Sequence, residues 1–468
     1  MEYTVREQTL REGNIGSTLF QLALPILGAM FWETVFYVAD AAWVGQSGVI
    51  ALAAVNLVSF LIWTMFSVAG IVTTGANSLI SYKLGEAVKD EKCRQEASDI
   101  AQISLFLAAV MGLIEMLILL FGGQTILKMM AGEQDNFAAV LQTAVPYLKF
   151  LAIFAPIVCL NQVFASIMRA YGDTKTPSYI ISMGYIINFI LDPLFIVGFG
   201  NIFPGFDALG VAIAYNISCY IVFVTFLYKF TKGSGVFILP KTRPTWNWHY
   251  VGKIFAVGLP LSFASIVFSL IYMAISPMIN RFGPSAIAAL GIGHRIESIN
   301  YMLCSGLSMA CITMIAHNLG AGYFERAKAT AIKALSWCFY INIFFVASFW
   351  LIPDVYASFF TSDPEVQANA VKYLKIIAFS EFFYGAGTIL DGIFAGGSRT
   401  LPPTTVNVIC FALRWPLCLL AVSHLNLGLS SIWLTFTVTT IVGGLINFGM
   451  FFMGWWHKPL NQIEEKAA

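Results

Sequence analysis

The chain has 468 residues, of which 58% are hydrophobic and only 11% are charged, with a formal net charge of +1 at pH 7. Soluble domains carry about 25% charged residues, so this composition excludes a soluble protein and indicates one that lies in a membrane. The small net charge also excludes general electrostatic attraction to nucleic acid or to acidic surfaces.

Twelve stretches of the chain are apolar and long enough to cross a bilayer as helices. A crossing helix needs about 20 residues. The approximate limits of the stretches are 17–44, 52–82, 98–122, 138–168, 177–199, 208–230, 252–280, 285–315, 328–352, 366–395, 402–423 and 427–455. The sequence therefore predicts an all-α polytopic membrane protein with twelve transmembrane helices.

The distribution of Lys and Arg predicts the orientation of these helices. If both termini are cytoplasmic, the outside loops hold only Lys128 and Arg281, with Lys149, Lys372 and Lys375 at outer helix ends. Cytoplasmic loops carry an excess of Lys and Arg in membrane proteins. We therefore expect a multi-pass protein of the plasma membrane with both termini in the cytoplasm.

The two halves of the sequence resemble each other. "LALPILGAMF" in the first span matches "VGLPLSFASIV" in the seventh, which puts Pro25 and Pro260 in register, and "ISYKLGEAV" matches "IAHNLGAGY". Each copy has an even number of spans, so both insert the same way, related by a pseudo-two-fold axis along the membrane normal. We expect two six-helix lobes that rock against each other around a central site.

This repeat divides the chain into five predicted segments. They are a cytoplasmic N-terminal segment (1–16), an N-terminal lobe (17–230), a cytoplasmic linker (231–249), a C-terminal lobe (250–455) and a cytoplasmic tail (456–468). The linker contains "FTKGSGVFILPKTRPTWNWH", which is rich in Gly, Pro and basic residues and is typical of a connection between domains.

The sequence lacks the residue spacings of common catalytic and metal sites. The five His form no HExxH motif, the eight Cys form no CxxC pair, and no nucleophile elbow or phosphate-binding glycine loop is present. These absences argue against a membrane-embedded enzyme. A channel also fits poorly with twelve helices and an asymmetric repeat.

Acidic residues inside the predicted spans of the first half indicate a functional site. Asp40 lies in the first span, and Glu33 lies seven residues earlier, on nearly the same helix face. Asn188 and Asp192 lie four residues apart in the fifth span, immediately before Pro193. A carboxylate at mid-bilayer costs about 2.5–3.5 kcal/mol, so such a residue usually faces the bundle interior and serves a function.

These side chains, with Tyr147 from the fourth span, could converge inside the first lobe. Carboxylates in a dry interior can take up and release a proton, or bind a sodium ion through hard oxygen ligands. The alternatives are that Asp40 lies near the bilayer surface, that Asp192 marks a helix end, and that Glu33 bonds to a backbone carbonyl without a further function.

The second half does not repeat these acids. The positions that match Asp40 and Asp192 fall at Ile275 or Ser276 and at Cys418, so we expect ion coupling in one lobe. The second half carries charges of both signs, and these charged or titratable residues are His294, Arg295, Glu297, Glu381, Asp391 and Arg414. We expect them to pair and hold the C-terminal lobe together; the alternative is a second ion or substrate site.

Several segments together resemble the multidrug and toxic compound extrusion (MATE) transporters. They include "LALPILGAMFWETVFYVADAAWVG", "IMRAYGDTKTP" and "NFILDPLFI", and the first and last of these are similar to the DinF-like branch. The resemblance implies two six-helix lobes that export amphipathic, often cationic compounds in exchange for H⁺ or Na⁺. It also implies that Asp40, Asp192 and Asn188 form the coupling site, with Tyr147 beside them, and that the first helix bends at Pro25.

Two features depart from the family pattern, at three positions. The NorM-like branch places a Glu on the seventh helix and an Asp on the tenth, where this chain has Phe268 and Tyr384, which argues against a sodium site of that kind. Glu33 stands where related sequences can carry an amide, so an extra acid joins the expected coupling network.

The sequence thus predicts a secondary-active multidrug efflux antiporter for amphipathic, mostly cationic compounds. The alternative is a lipid-linked oligosaccharide flippase of the same superfamily, which would need a strongly cationic cavity for pyrophosphate. We expect small-molecule drugs or toxins and the lipid bilayer as partners, no nucleic acid, no cofactor besides the coupling ion (H⁺ or Na⁺, the latter at Asp40, Asp192 and Asn188), and a monomeric protein.

Overall fold

A computed structural model of the chain describes residues 2–131, 138–199, 203–232 and 246–457, and almost all of them are helical. The helices of the first half are α1 Glu2–Glu12, α2 Ile15–Gln46, α3 Val49–Glu86, α4 Lys92–Ala131, α5 Ala138–Ala152, α6 Ala155–Ala170, α7 Lys175–Ile196 and α8 Asp207–Lys232. Between α7 and α8, two short antiparallel strands pair, β1 Gly198–Phe199 and β2 Phe203–Pro204.

The second half continues the helical pattern. Its helices are α9 Trp248–Asn280, α10 Pro284–Gly320, α11 Phe324–Leu351, α12 Pro353–Phe360, α13 Pro364–Gly396, α14 Leu401–Leu419 and α15 Ser430–Phe452. A π-helical turn, Leu420–His424, extends α14.

The described helices confirm the predicted class of all-α polytopic membrane protein. Eleven of them are long and apolar enough to cross a membrane, and the bent pair α5 and α6 makes a twelfth if it is one span. The sequence predicted a single span over residues 138–168, but α5 and α6 are bent by 50° relative to each other. Pro156 lies in the first turn of α6, where a residue without an N–H costs no helical hydrogen bond, so the chain can restart a helix there.

The chain divides into two compact units. The first unit comprises Met1–Thr9 and Gln21–Phe255, and the second comprises Leu10–Phe20 and Ala256–Ala468. Most of the linker predicted at 231–249, namely 233–245, and the tail from 458 onward lie outside the described residues.

The N-terminal segment, which the sequence marked only as polar and cytoplasmic, contains the helix α1. Arg94 donates two hydrogen bonds to the carboxylate of Glu7, at 2.9 and 3.0 Å, which is the bidentate geometry that guanidinium groups favour. Arg6 forms an ion pair with the buried Asp173 at 2.8 Å. These contacts attach the first part of α1 to the first unit.

Within the first unit, α7 and α8 approach closely where Gly184 faces Val222. A Cβ atom at Gly184 would lie 2.4 Å from a methyl carbon of Val222, so only glycine fits without a shift. In the second unit, the hydroxyl of Ser308 on α10 donates to the carbonyl of Thr388 on α13 at 2.7 Å. These close approaches position the helices that carry the polar side chains described next.

Candidate functional site in the first unit

Two buried carboxylates face each other from α2 and α7. Asp40 is 7% exposed and Asp192 is fully buried, and the two lie within electrostatic range of each other. Oδ1 of Asp40 and both carboxylate oxygens of Asp192 have no hydrogen-bond partner among the described residues. Buried polar groups are nearly always partnered, so this pair has the character of a site that binds a proton or a cation.

Asn188 lies one turn before Asp192 on α7, and Tyr147 lies near both carboxylates. Asn188 is 1% exposed, and neither its amide nitrogen nor its amide oxygen has a partner among the described residues. Tyr147, on α5, is 2% exposed and lies within electrostatic range of both Asp40 and Asp192. The structure therefore brings together four of the five residues assigned to coupling, and their oxygen atoms are of the kind that hard cations prefer.

The fifth residue, Glu33, lies two turns before Asp40 on α2, close to the phenol groups of tyrosines. The hydroxyl of Tyr185 on α7 is within hydrogen-bonding reach of the Glu33 carboxylate. Tyr37 lies within electrostatic range of both Glu33 and Asp40. The sequence reading missed both tyrosines, although Tyr37 follows Glu33 by four residues and precedes Asp40 by three, which is the spacing of one helix face.

Aromatic stacking connects α2 to α7 and α8 at this level. The ring of Phe36 stacks on Tyr185 with centroids 5.6 Å apart, and on Tyr215 with centroids 6.3 Å apart. Aromatic pairs at such distances add a stabilisation of about 0.5–1.5 kcal/mol beyond the burial of their area. The hydroxyl of Tyr215 is in turn within reach of the Cys219 thiol.

A cavity with a volume of about 60 Å³ lies next to these side chains. Tyr185, Asn188, Tyr215 and Cys219 line one part of it. Since one water molecule needs about 15 Å³ of such volume, the cavity has room for about four waters or for a partly hydrated cation.

Pro25, the predicted hinge, lies inside α2, which runs without interruption from Ile15 to Gln46. Proline has no N–H group, so the helix lacks one backbone hydrogen bond at this point and its bending stiffness is reduced. The carboxylates of Glu33 and Asp40 lie on the C-terminal side of this weak point.

In the second unit, hydroxyl groups and aromatic rings surround the buried Arg414. Arg414 is 3% exposed and donates hydrogen bonds to three hydroxyls: Thr439 at 3.0 Å, Thr440 at 2.7 Å and Tyr272 at 3.3 Å. Four aromatic rings lie within 5.0–6.0 Å of its guanidinium carbon, those of Phe268, Tyr272, Phe411 and Phe436. The charge of Arg414 is therefore well solvated by the protein itself.

The other predicted polar residues of this unit differ in their partners, and Glu381 lies within electrostatic range of Glu297. His294 and Glu297 lie within electrostatic range of Arg414. Glu381 accepts a hydrogen bond of 2.6 Å from the amide of Asn300. Asp391 accepts one of 3.3 Å from Asn407, and Arg295 is exposed on α10; these two do not join the group around Arg414.

Comparison with known proteins finds related sequences along nearly the whole chain. The family model described as MatE matches residues 25–194 and 260–420. A probable multidrug resistance protein NorM from Thermotoga maritima is 26% identical over 465 residues, which cover 97% of this chain and 96% of the relative. An FAD transporter from Shewanella oneidensis is 24% identical over 436 residues, which cover 92% of this chain and 93% of the relative.

Solved structures share the fold. A MOP superfamily transporter from Pyrococcus furiosus superimposes with a TM-score of 0.87 at 21% identity, covering 96% of this chain and 97% of the other. An outward-facing multidrug resistance MATE family transporter superimposes with a TM-score of 0.85 at 21% identity, again covering 96% of this chain and 97% of the other.

Proposed function

The chain belongs to the MatE family, and on that premise we propose that it is a secondary-active multidrug efflux antiporter. It is a membrane transporter and not an enzyme. In our proposal it exports amphipathic, mostly cationic compounds in exchange for protons or sodium ions. The relatives described as probable multidrug resistance proteins support drugs as the class of substrate.

The observation that carries this proposal is the set of unpartnered polar atoms on Asp40, Asp192 and Asn188. A buried charge without a partner is costly, so the carboxylates have to bind a proton or a metal cation when no other positive charge is present. Two carboxylates within electrostatic range of each other titrate as a pair, so binding at one changes the other. This arrangement suits a site that is loaded and unloaded in each transport cycle.

Coupling then follows from competition between cation and substrate. We propose that the bound cation stabilises one arrangement of α2 and the substrate another, so that each expels the other. Pro25 allows α2 to change shape, and Tyr147 and Asn188 orient the carboxylates. The aromatic rings around Glu33 suit an amphipathic cation, because aromatic faces attract positive charge.

The remaining features of the proposal follow from the sequence. We place both termini in the cytoplasm and the protein in the plasma membrane, because Lys and Arg concentrate in the loops on that side. Within the family, the acid of the first span and the "NFILDPLFI" segment favour the DinF-like branch. We also propose a monomer as the working unit.

Transport by reconstituted protein tests the coupling residues. Vesicles with wild-type protein receive a proton gradient or a sodium gradient separately, and export of ethidium, a monovalent organic cation, is followed. Asp40→Asn and Asp192→Asn keep the side-chain shape but remove the charge, so we expect both to abolish gradient-driven export while the proteins remain folded.

Glu115→Gln is the matched control for this experiment. Glu115 is also a buried acid of the first unit, 7% exposed, but it lies against the thiol of Cys159 at 3.7 Å. We expect this variant to export at close to the wild-type rate. Wild-type export by both Asp40→Asn and Asp192→Asn would overturn the assignment.

A further inference from the structure

We infer that Glu33 forms a second cation-binding site in the first unit, so that the protein exchanges two cations for each exported molecule. This inference rests on the proposed antiport, and it adds a site and a stoichiometry to it. The first site is the Asp40–Asp192 pair; the second is named the Glu33 site.

The two sites have the same spacing on both helices that form them. Glu33 and Asp40 lie seven residues apart on α2, and Tyr185 and Asp192 lie seven residues apart on α7. Seven residues are two helical turns and about 10 Å, so each pair lies on nearly one helix face. Tyr185 lies within hydrogen-bonding reach of Glu33, and Asp192 lies within electrostatic range of Asp40, so polar side chains of α2 and α7 approach each other at two levels.

Among the residues that the structure describes, the groups that interact with Glu33 carry no positive charge. Tyr185 lies within hydrogen-bonding reach of its carboxylate, and Tyr37 lies within electrostatic range. Phe36 covers the same region with its stacked ring. Phenols and an aromatic ring can orient the half-buried Glu33 carboxylate, but they do not neutralise it, so a bound proton or cation would supply the compensating charge.

Asn188, which belongs to the first site, also lies between the two levels of α7 that form the sites. It follows Tyr185 by three residues and precedes Asp192 by four, so it shares their helix face. Its side chain is only 1% exposed and lines the cavity. Neither of its amide atoms has a hydrogen-bond partner among the described residues. An unsatisfied buried group of this kind destabilises the folded state, and a bound water or cation would remove that cost.

The cavity lies beside neighbours of both sites. Its lining includes Tyr185, which contacts Glu33, and Asn188, which adjoins Asp192. Asn161, Gln162 and Ser218 add further polar atoms to the wall. With room for about four waters, the cavity can hydrate a cation at the Glu33 site and transfer it along a water chain.

The balance point of transport measures the number of cations directly. Wild-type, Glu33→Gln and Glu115→Gln proteins are reconstituted in vesicles whose membrane potential is clamped at zero with potassium and valinomycin. Under a tenfold gradient of the coupling cation, the ethidium gradient is varied until net flux stops. At that point the ethidium ratio equals the cation ratio raised to the number of cations exchanged.

We expect the wild-type flux to stop at about a hundredfold ethidium gradient and the Glu33→Gln flux at about a tenfold gradient, since each cation contributes one factor of ten. Glu115→Gln should balance like the wild type, because its carboxylate lies outside the two sites. A role of Glu33 in binding substrate alone would slow Glu33→Gln without moving its balance point, and that result would overturn the inference.

The wild-type measurement can overturn the inference even if Glu33→Gln does not fold. Cation-driven export that balances at a tenfold ethidium gradient would mean that one cation is exchanged for each ethidium. That result would overturn the second site but leave the proposed antiport intact. If neither a proton nor a sodium gradient drives wild-type export, the antiport itself is wrong, and the inference falls with it.

Discussion

At the scale of single residues, hydrogen-bond partnership separates two kinds of buried charge. Arg414 in the second unit has three hydroxyl partners, and Glu381 has an amide partner. Asp192 and Asn188 in the first unit have none among the described residues. Fully satisfied polar networks stabilise a fold, whereas unsatisfied ones are costly unless a ligand completes them. Arg414 and Glu381, which have such partners, therefore have a structural role in this account.

Replacement of Arg414 tests that structural role. Arg414→Met removes the guanidinium and leaves Glu297 without its nearby positive charge, so we expect the free energy of unfolding to fall by about 3 kcal/mol or more. The check is the thermal unfolding midpoint of the purified protein in detergent. Adding Glu297→Gln should recover part of the loss, because the two groups are coupled.

Arg295→Met is the matched control, since Arg295 is exposed on α10. We expect this variant to unfold close to the wild-type temperature. An Arg414→Met protein that is as stable as the wild type would show that the guanidinium does not stabilise the fold. That result would favour the alternative of a second ion or substrate site there.

Much of the first-unit site could be predicted from single residues. The bilayer makes each intramembrane acid expensive, so Asp40 and Asp192 stand out in the sequence, and the four-residue spacing places Asn188 on the same face as Asp192. Tyr37 and Tyr185 could not be singled out in this way. The chain has 18 Tyr and 40 Phe, and most aromatic residues in a membrane protein face lipid or pack, so only the fold reveals which of them approach a carboxylate.

At the scale of elements, α2 combines a weak point with the acids of the site. Pro25 interrupts the backbone hydrogen bonds two turns before Glu33, while Phe36 holds the following segment to α7 and α8 through stacked rings. A helix built this way can bend at one point without losing the contacts beyond it.

Pro25→Ala tests the hinge. Alanine restores the missing backbone bond and favours a straight helix, so we expect slower gradient-driven export, about tenfold if straightening opposes bending by about 1.4 kcal/mol, with substrate binding retained. The measurement is the initial rate of ethidium export beside its equilibrium binding. Pro260→Ala, at the matching position of α9, should change the rate much less, because that half lacks the matching acids. Equal slowing by both variants would refute a hinge specific to α2.

The helices themselves could largely be predicted, because a helix that crosses a bilayer needs a long apolar run, and such runs are visible in the sequence. The bend of 50° between α5 and α6 could not, since Ala152 to Ala155 is as apolar as its surroundings. Pro156 is the only local signal there, and a proline inside an apolar run also occurs in continuous helices, as Pro25 does in α2.

At the scale of the whole molecule, a repeated sequence carries a site that is not repeated. The prolines of α2 and α9 correspond, but the positions that match Asp40 and Asp192 are occupied by Ile275 or Ser276 and by Cys418. The repeat therefore supplies the common fold, and a few substitutions within it supply the function. In this account the first unit binds the coupling cation, and its competition with the substrate drives export.

Release of cations on substrate binding tests that competition most directly. Ethidium is added to purified protein in weakly buffered detergent solution, while an indicator dye follows protons and a selective electrode follows sodium. Because binding linkage is reciprocal, we expect wild-type protein to release protons or sodium ions as it binds ethidium. The double variant Asp40→Asn, Asp192→Asn should bind ethidium without that release. Ethidium binding by the wild type with no cation released, or with the same release from the double variant, would contradict the account.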